Sequence, residues 1–598
     1  MILIVEEYCY KSDKARRILE MFNHRALKEG VSSDCVGYCY SKSLDDCVFF
    51  VPKVICDSSD KVLGKYSPEE CLDFSNSELS TDEKEFVQEL NVWIYRALQE
   101  YSKLEESKEI LQEKHFSIID SVGETISGTF LDKLLGLIKF YNENRDFIIF
   151  TIKNIHSQQH KINWRRTISH SQAIIQDNTP LYLDPISKRK VADWDEELMV
   201  IFFSILEYIK KYGFDSRTEH HYDLIKGEQF KAYREGLGVR RLRQIRHRYY
   251  SDKSRKLWSL CYAFFNGTET ITSSREESDY LLATSFHIAF EAMVDELIGQ
   301  PEFAEMRKLD DGKIIDHIYR DRSLLSDDLV YFIGDSKYYK TRYSVQEGSI
   351  SAYKQFTYAR NIVHDSIKRS FSETWPFRDP LTEGYVITPD FFISAAIDPD
   401  RRFDRDGFDK ETVLGTPFSS RQFNNRLFDR DTIWVNQYNL NFLYLLSTYA
   451  SADSGQKEQF REKARCFFRN NTIELLNKKY EFWELTPKTN KTIEETLSNT
   501  IKWELRGLVY RLGKNSNSLI LAMEKPCEPD NEEDIPVLKY EREADFQRVA
   551  PVVQENFKYR RCVLSKSKER FVDYIDNQSG VAPQHGFFFF FFFFDDTE

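Results

Sequence analysis

The chain is poor in the residues that loosen a backbone, with 23 Gly and 16 Pro in 598 residues. Long flexible linkers are therefore excluded as its organising feature. No stretch reaches the ~18 apolar residues that a spanning helix needs, so no membrane segment is expected. Glu6 and Glu7 come early and no apolar core of a leader follows them, so a cytoplasmic location is expected. The cysteines lack metal-site spacing. There are ten, six of them between Cys9 and Cys71, with no CxxC pair and no histidine at finger spacing behind them. Reduced thiols are expected there rather than a structural zinc site. Net positive charge is missing as well. A formal charge of −13 excludes a surface coated for polyanions, but a nucleic-acid enzyme needs only a local basic groove.

Aromatic residues are what the chain has in quantity, 15% in all with 46 Phe and 33 Tyr. The 41% hydrophobic and 30% charged fractions are those of a globular protein. The length predicts about two to four domains. The patterning predicts an α+β or α/β multidomain chain. Residues 1–150 read as a mixed α/β region for recognition or partner binding. They hold a helical period from Thr81 to about Leu111 (Phe86, Leu90, Trp93, Ala97, Tyr101). Residues 151–275 read as mainly helical, with a strand at Phe147–Ile152 before them and a helix at Glu197–Lys211. Residues 276–400 read helix, strand, turn, strand, helix, then a strand near Tyr385–Ile397. Residues 401–598 read as a mixed region with an acidic linker near 524–535. They end in Phe587–Phe594, a run that no fold requires and that favours aggregation if exposed. The natural C-terminus is expected to differ if a coding homopolymer slips there.

The chemistry concentrates in 276–400. Leu329–Gly334 is a nearly continuous apolar run ending in Asp335-Ser336-Lys337, the pattern of a strand buried on both faces. Alternation along a strand sends Asp335 and Lys337 to one side and Ser336 to the other. Upstream, Lys313–Tyr319 is a second strand candidate, carrying Asp316. A symmetric hairpin turning over Arg320–Asp328 sets Asp316 opposite Phe332. That leaves it about 10 Å along the strand from Asp335, so a bulge or a fork is needed to unite the acids. Asp310 or Asp311 is the alternative partner. Two carboxylates ~4 Å apart repel by about 4 kcal/mol at an effective dielectric near 20, and hard oxygen ligands of this kind suit Mg²⁺. A helix over Ser285–Gln300 has the core stripe Phe286, Phe290, Met293, Leu297 and Ile298, with His287 and Glu291 off it. Glu291 is a further candidate ligand. A later helix, about Ser349–Val363, carries Gln355, a candidate for holding the phosphate backbone or supporting the site.

The order of acid-bearing helix, Asp strand, Asp-x-Lys strand and Gln-bearing helix resembles the PD-(D/E)xK nuclease core. Asp335-Ser336-Lys337-Tyr338-Tyr339-Lys340 is similar to the corresponding motif of McrC-type restriction subunits. Ile314-Ile315-Asp316-His317-Ile318-Tyr319 is similar to their preceding strand. With Trp164-Arg165-Arg166-Thr167-Ile168 and Pro180-Leu181-Tyr182, the arrangement resembles the LlaJI family of restriction endonucleases over roughly 160–400. Ile315 stands where that pattern usually has Pro. The resemblance implies a restriction-endonuclease-like core, a mixed central sheet flanked by helices, acting on double-stranded DNA with Mg²⁺. In that role Asp316, Asp335 and Glu291 bind metal, and Lys337 assists the water or the phosphate. It further implies an McrB-like NTPase subunit and a cognate DNA methyltransferase as partners. A repair or recombination nuclease with the same core is the alternative, as is a non-catalytic DNA-binding or assembly subunit with a structural acidic cluster.

DNA contact is expected from 231–256, which holds ten Lys or Arg against two acids. Its centre is Arg240, Arg241, Arg243, Arg246 and Arg248, with Tyr249 and Tyr250 placed to stack. The bland alternative is a solvated helix face. Gly507…Gly513-Lys514-Asn515 fails as a phosphate-binding loop, because its glycine spacing is wrong and Asn515 replaces the magnesium-holding Ser or Thr. NTP hydrolysis by this chain is not expected.

Overall fold

The computed structural model describes residues 1–21, 25–27, 30–114, 129–156, 161–192, 196–214, 220–273, 278–303, 307, 314–324, 329–340, 354, 358, 381–382, 389–409, 413, 418–419, 434–488, 490–505, 507–513, 516–525, 535–566 and 571–573. They form a mixed α+β chain of two compact units. The first comprises Met1–Pro52, Tyr66–Leu98 and Lys108–Thr284, and the second Lys53–Lys65, Gln99–Ser107 and Ser285–Glu598. Among the described residues no helix is long and apolar enough to cross a membrane.

The first unit is built on five strands: β1 (Ile2–Val5), β2 (Cys35–Ser41), β3 (Asp46–Val51), β4 (Leu111–Lys114) and β9 (Ser278–Thr284). Their order is β1-β3-β2-β9-β4. The apolar run Ile2-Leu3-Ile4-Val5 is buried throughout although β1 stands at one end of the sheet. The 1–150 region is not self-contained, because β9 fills the place between β2 and β4. The N-terminal cysteines serve as packing groups. Burial pushes the Cys35 thiol up to about 11 and the Cys71 thiol up to about 12, so both stay neutral.

The helix predicted from Thr81 forms as α1 (Thr81–Tyr101), followed by α2 (Phe130–Glu143). The 151–275 region carries more strand than its pattern suggests. β5 (Phe150–His156) pairs with β8 (Ile186–Ala192), and between them lie α3 (Trp164–His170) and the hairpin β6 (Ile174–Gln176) to β7 (Thr179–Leu181). The helices that follow include α4 (Glu197–Ile209), α5 (Gly238–Ile245) and α6 (Asp252–Ser273).

The second unit opens with α7 (Phe286–Ile298) after Ser285, whose backbone is left-handed at φ 64°. Its sheet has the order β10-β11-β12-β14-β13, from β10 (His317–Arg322), β11 (Leu329–Lys337), β12 (Asp390–Ala396), β13 (Phe418–Ser419) and β14 (Trp434–Asn441). β10 runs antiparallel to β11, while β11, β12 and β14 are parallel. The sheet thus continues past residue 400. Then come α8 (Phe442–Tyr449) and α9 (Ser454–Lys479).

One face of this sheet is aromatic. Tyr319 stacks on Phe332 at 5.0 Å between centroids, and Phe468 of α9 meets Phe391 at 5.0 Å and Tyr438 at 4.4 Å. Gly334 belongs to this packing, since a Cβ there would lie 2.3 Å from the Phe391 ring. By alternation Asp335, Lys337, Phe392, Ser394 and Asn439 occupy the opposite face. A second, antiparallel sheet has the order β16-β17-β15-β18-β19, from β15 (Tyr480–Pro487), β16 (Val509–Arg511), β17 (Leu519–Glu524), β18 (Phe557–Leu564) and β19 (Phe571–Asp573). It encloses its own core around Leu485, Leu521 and Phe557.

Candidate active site

The site begins with a ladder register. β10 and β11 pair His317 with Gly334 and close at Arg322 with Leu329. One step beyond His317 the ladder ends, and Asp316 lies within the field of Asp335. The expected offset, with Asp316 against Phe332, is therefore corrected. Arg320, Asp321 and Arg322 read as turn residues, yet they pair with Tyr331, Val330 and Leu329, and the Arg320 guanidinium lies 5.6 Å from the Tyr331 ring. Extending the ladder shortens the loop to 323–328 and moves the register by three.

The ladder also forks where the acids meet. The Ser336 amide donates to Asp316 Oδ2 at 2.9 Å, so a carboxylate takes the place of a strand partner. Asp335 and Lys337 emerge on one side of β11 and form an ion pair, with side chains 11% and 14% exposed. The Lys337 ammonium also lies 5.4 Å from the Phe392 ring centroid.

Glu291 on α7 joins this group electrostatically. Burial pushes its carboxyl up to about 7, the Asp335 charge adds to that, and Lys337 and Arg307 oppose it. Asp316 is also pushed up to about 7, first by burial and then by Asp335, with His317 and the Ser336 amide opposing. Two acids whose ionisation a third one suppresses form a site short of positive charge. Hard oxygen donors of this kind fit a divalent cation. Among the described residues no three such side chains are gathered at ligand spacing, and Asp335 is held by Lys337.

Around Asp316 lies a support that sequence reasoning missed. The His317 ring, with no exposed side-chain surface, sits 2.6 Å from Ser336 Oγ through Nε2 and 3.4 Å from Asp295 Oδ1 through Nδ1. Arg307 pairs with Asp295 and donates through Nε to the Ile315 carbonyl at 2.8 Å. Both neighbours of Asp316 are thus fixed to α7. The available signal was Asp295, four residues after Glu291 and so on the same helix face. The parallel strands align Lys337, Ser394 and Asn439 in one rung, and the Oδ1 of Asn439 is buried without a hydrogen-bond partner. His287 is exposed. Gln355, Asp310 and Asp311 lie outside the described residues.

The basic segment, in the first unit, is more internally paired than its composition suggests. Arg241 and Arg248 pair with Glu197. Arg243 donates to the Tyr262 hydroxyl at 2.8 Å, and Arg246 lies 5.1 Å from the Trp258 ring. Arg240 is exposed. Tyr249 is a correction, being 6% exposed with its hydroxyl donating to Glu196. It has no free face for a base, whereas Tyr250 is 75% exposed.

Neither protein-family models nor curated proteins match the chain.

Proposed function

We propose that this chain is a Mg²⁺-dependent endodeoxyribonuclease with a PD-(D/E)xK core, the nuclease subunit of a restriction system similar to the LlaJI and McrC types. The observation that carries this is the register that ends at His317 against Gly334 and brings Asp316 into the field of Asp335, with Lys337 on the same side of the strand as Asp335 and Glu291 in the field of Asp335. Asp316, Asp335 and Glu291 would hold the ion, which supplies positive charge beside a phosphate and acidifies a water. The chain's own contribution is positional. Asp316 is fixed by the Ser336 amide and by the anchored Ile315 and His317. Lys337, once released from Asp335, is placed to donate to a phosphate oxygen as negative charge builds there. Double-stranded DNA is the substrate in this reading, in the cytoplasm. An NTPase subunit and a methyltransferase are the partners that the resemblance implies.

The test is incubation of the purified chain with phage DNA and Mg²⁺, with and without proteins encoded beside it. Wild type cleaves, EDTA stops it, and Asp335→Ala and Lys337→Ala lose activity by at least about 100-fold, as for removal of one transition-state donor. Cleavage unchanged in both variants would falsify the site. The closed Asp335–Lys337 pair favours one rival, a non-catalytic DNA-binding or assembly subunit. That rival predicts loss of stability in Asp335→Ala and no Mg²⁺-dependent nicking in the wild type.

A further inference from the structure

A second site lies in the first unit, on the segment between β5 and β8. Trp164 and Ile168 on α3 are 56% and 64% exposed, and Leu181 on β7 is 45% exposed. Trp164 meets Tyr182 edge to face at 6.4 Å. With Pro180 they wall a cavity of about 560 Å³. The slot is held firmly. The Asn163 amide donates to the Ile186 carbonyl at 2.7 Å and the Lys188 amide to the Lys161 carbonyl at 2.8 Å. The Thr167 hydroxyl also bonds to Ile186. Hairpin β6–β7 turns through Asp177 and Asn178 at φ 47° and 62°, the two left-handed residues of a tight hairpin.

The charge of this segment is mostly positive, with Asp177 and Asp184 as its acids. Lys153, Lys161, Arg165, Arg166, Lys188 and Arg189 are all exposed, and among the described residues none of them pairs with a carboxylate. Asp184 is engaged with His156 at 3.1 Å. The contrast with 231–256 is direct, since Arg241, Arg248, Arg243 and Arg246 there are engaged by Glu197, Tyr262 and Trp258. Lys161, Arg165 and Arg166, chain neighbours of Ile162 and Trp164, put free cations next to an apolar, aromatic-walled slot that complements a polyanion carrying flat apolar rings.

We propose that this slot takes an unpaired base of single-stranded nucleic acid, with the flanking phosphates on the free cations. A base stacked in a duplex shows only its edges, whereas the Trp164 and Tyr182 walls offer contact to a ring face. The walls are almost wholly apolar, so binding tolerates any base. This site uses none of the acids of the second unit and does not rest on the nuclease reading.

The experiment is fluorescence anisotropy of the full chain in EDTA with a labelled oligo(dT), against a duplex of equal length. The single strand binds more tightly, and Trp164→Ala weakens it at least about fivefold, the lower end for one stacked base. Arg165→Gln/Arg166→Gln makes the salt slope shallower by about 1.4, at ~0.7 per lost phosphate contact. EDTA withholds the divalent ion that cleavage would need, so the outcome is independent of cleavage. Single-strand affinity untouched by Trp164→Ala and by the double variant overturns the proposal. So does equal or tighter duplex binding, or the absence of oligonucleotide binding, which assigns the slot to a protein partner.

Discussion

The Asp316 carboxyl is displaced from 3.8 to about 7, chiefly by burial and then by the Asp335 charge. Each unit of displacement is worth about 1.4 kcal/mol, so ionising Asp316 in the folded chain costs about 4 kcal/mol. The sign follows from proton counts. Between pH ~4 and ~7 the folded chain holds a proton that the unfolded chain has lost, so stability falls as pH rises through that window. Asp316→Asn removes the charge and keeps an oxygen for the Ser336 amide. In EDTA at pH 8 the variant is therefore more stable than wild type, by up to about 4 kcal/mol. At pH 4.5 the advantage falls to about 1 kcal/mol, because the folded wild type is then protonated and only the unfolded chain has lost most of that proton. Thermal denaturation followed by tryptophan fluorescence at the two pH values reads the difference. Mg²⁺ raises the wild-type midpoint at pH 8 by mass action and leaves the variant nearly unmoved. Destabilisation of Asp316→Asn at pH 8, or an equal shift at both pH values, refutes a charge-poor site.

Three further outcomes test the support and the corrections. His317→Gln strips partners from Ser336 and Asp295 and costs about 1–3 kcal/mol. It also lowers the cleavage rate, which a quench-flow assay separates from DNA affinity. Gly334→Ala forces a methyl against Phe391 and costs about 1–3 kcal/mol by overpacking, read by denaturant unfolding of the full chain. Tyr249→Phe loses the bond to Glu196, which also accepts from the Leu198 and Met199 amides at the start of α4. It costs about 1 kcal/mol and leaves oligonucleotide affinity unchanged, whereas a weakened complex restores Tyr249 as a contact residue.

The strand carrying Asp335 and Lys337 was legible because a buried parallel strand is apolar nearly throughout, and its polar end stands out against that run. Its register with β10 was not, because the closing point of a hairpin depends on which polar residues pair. Arg320, Asp321 and Arg322 look like a turn by composition and act as an edge strand by pairing. Burial of single aromatics was equally hidden. Of two adjacent tyrosines Tyr249 is core and Tyr250 is solvent, and Trp164, whose pattern also suits a core residue, is exposed. The two compact units are discontinuous in sequence, and distant strands complete their sheets. β9 and β14 enter their sheets from far along the chain, and local pattern carries no record of a distant strand partner.

Asp390 supplies an internal control for the site argument. It is fully buried, neither carboxylate oxygen has a hydrogen-bond partner, and burial holds its carboxyl well above the usual range. Displacement by burial alone therefore does not mark a site. Asp316 and Glu291 differ because each is also raised by Asp335, so their ionisations oppose one another. A single neutral acid can rest in a core as a poor apolar residue. Two acids whose ionisation the Asp335 charge opposes, beside a lysine already committed to Asp335, are relieved together by added positive charge. Asp390→Asn should accordingly leave the Mg²⁺-induced rise in midpoint intact while Asp316→Asn abolishes it. The same loss in both variants would mean that burial, and not the carboxylate cluster, sets the response to the cation.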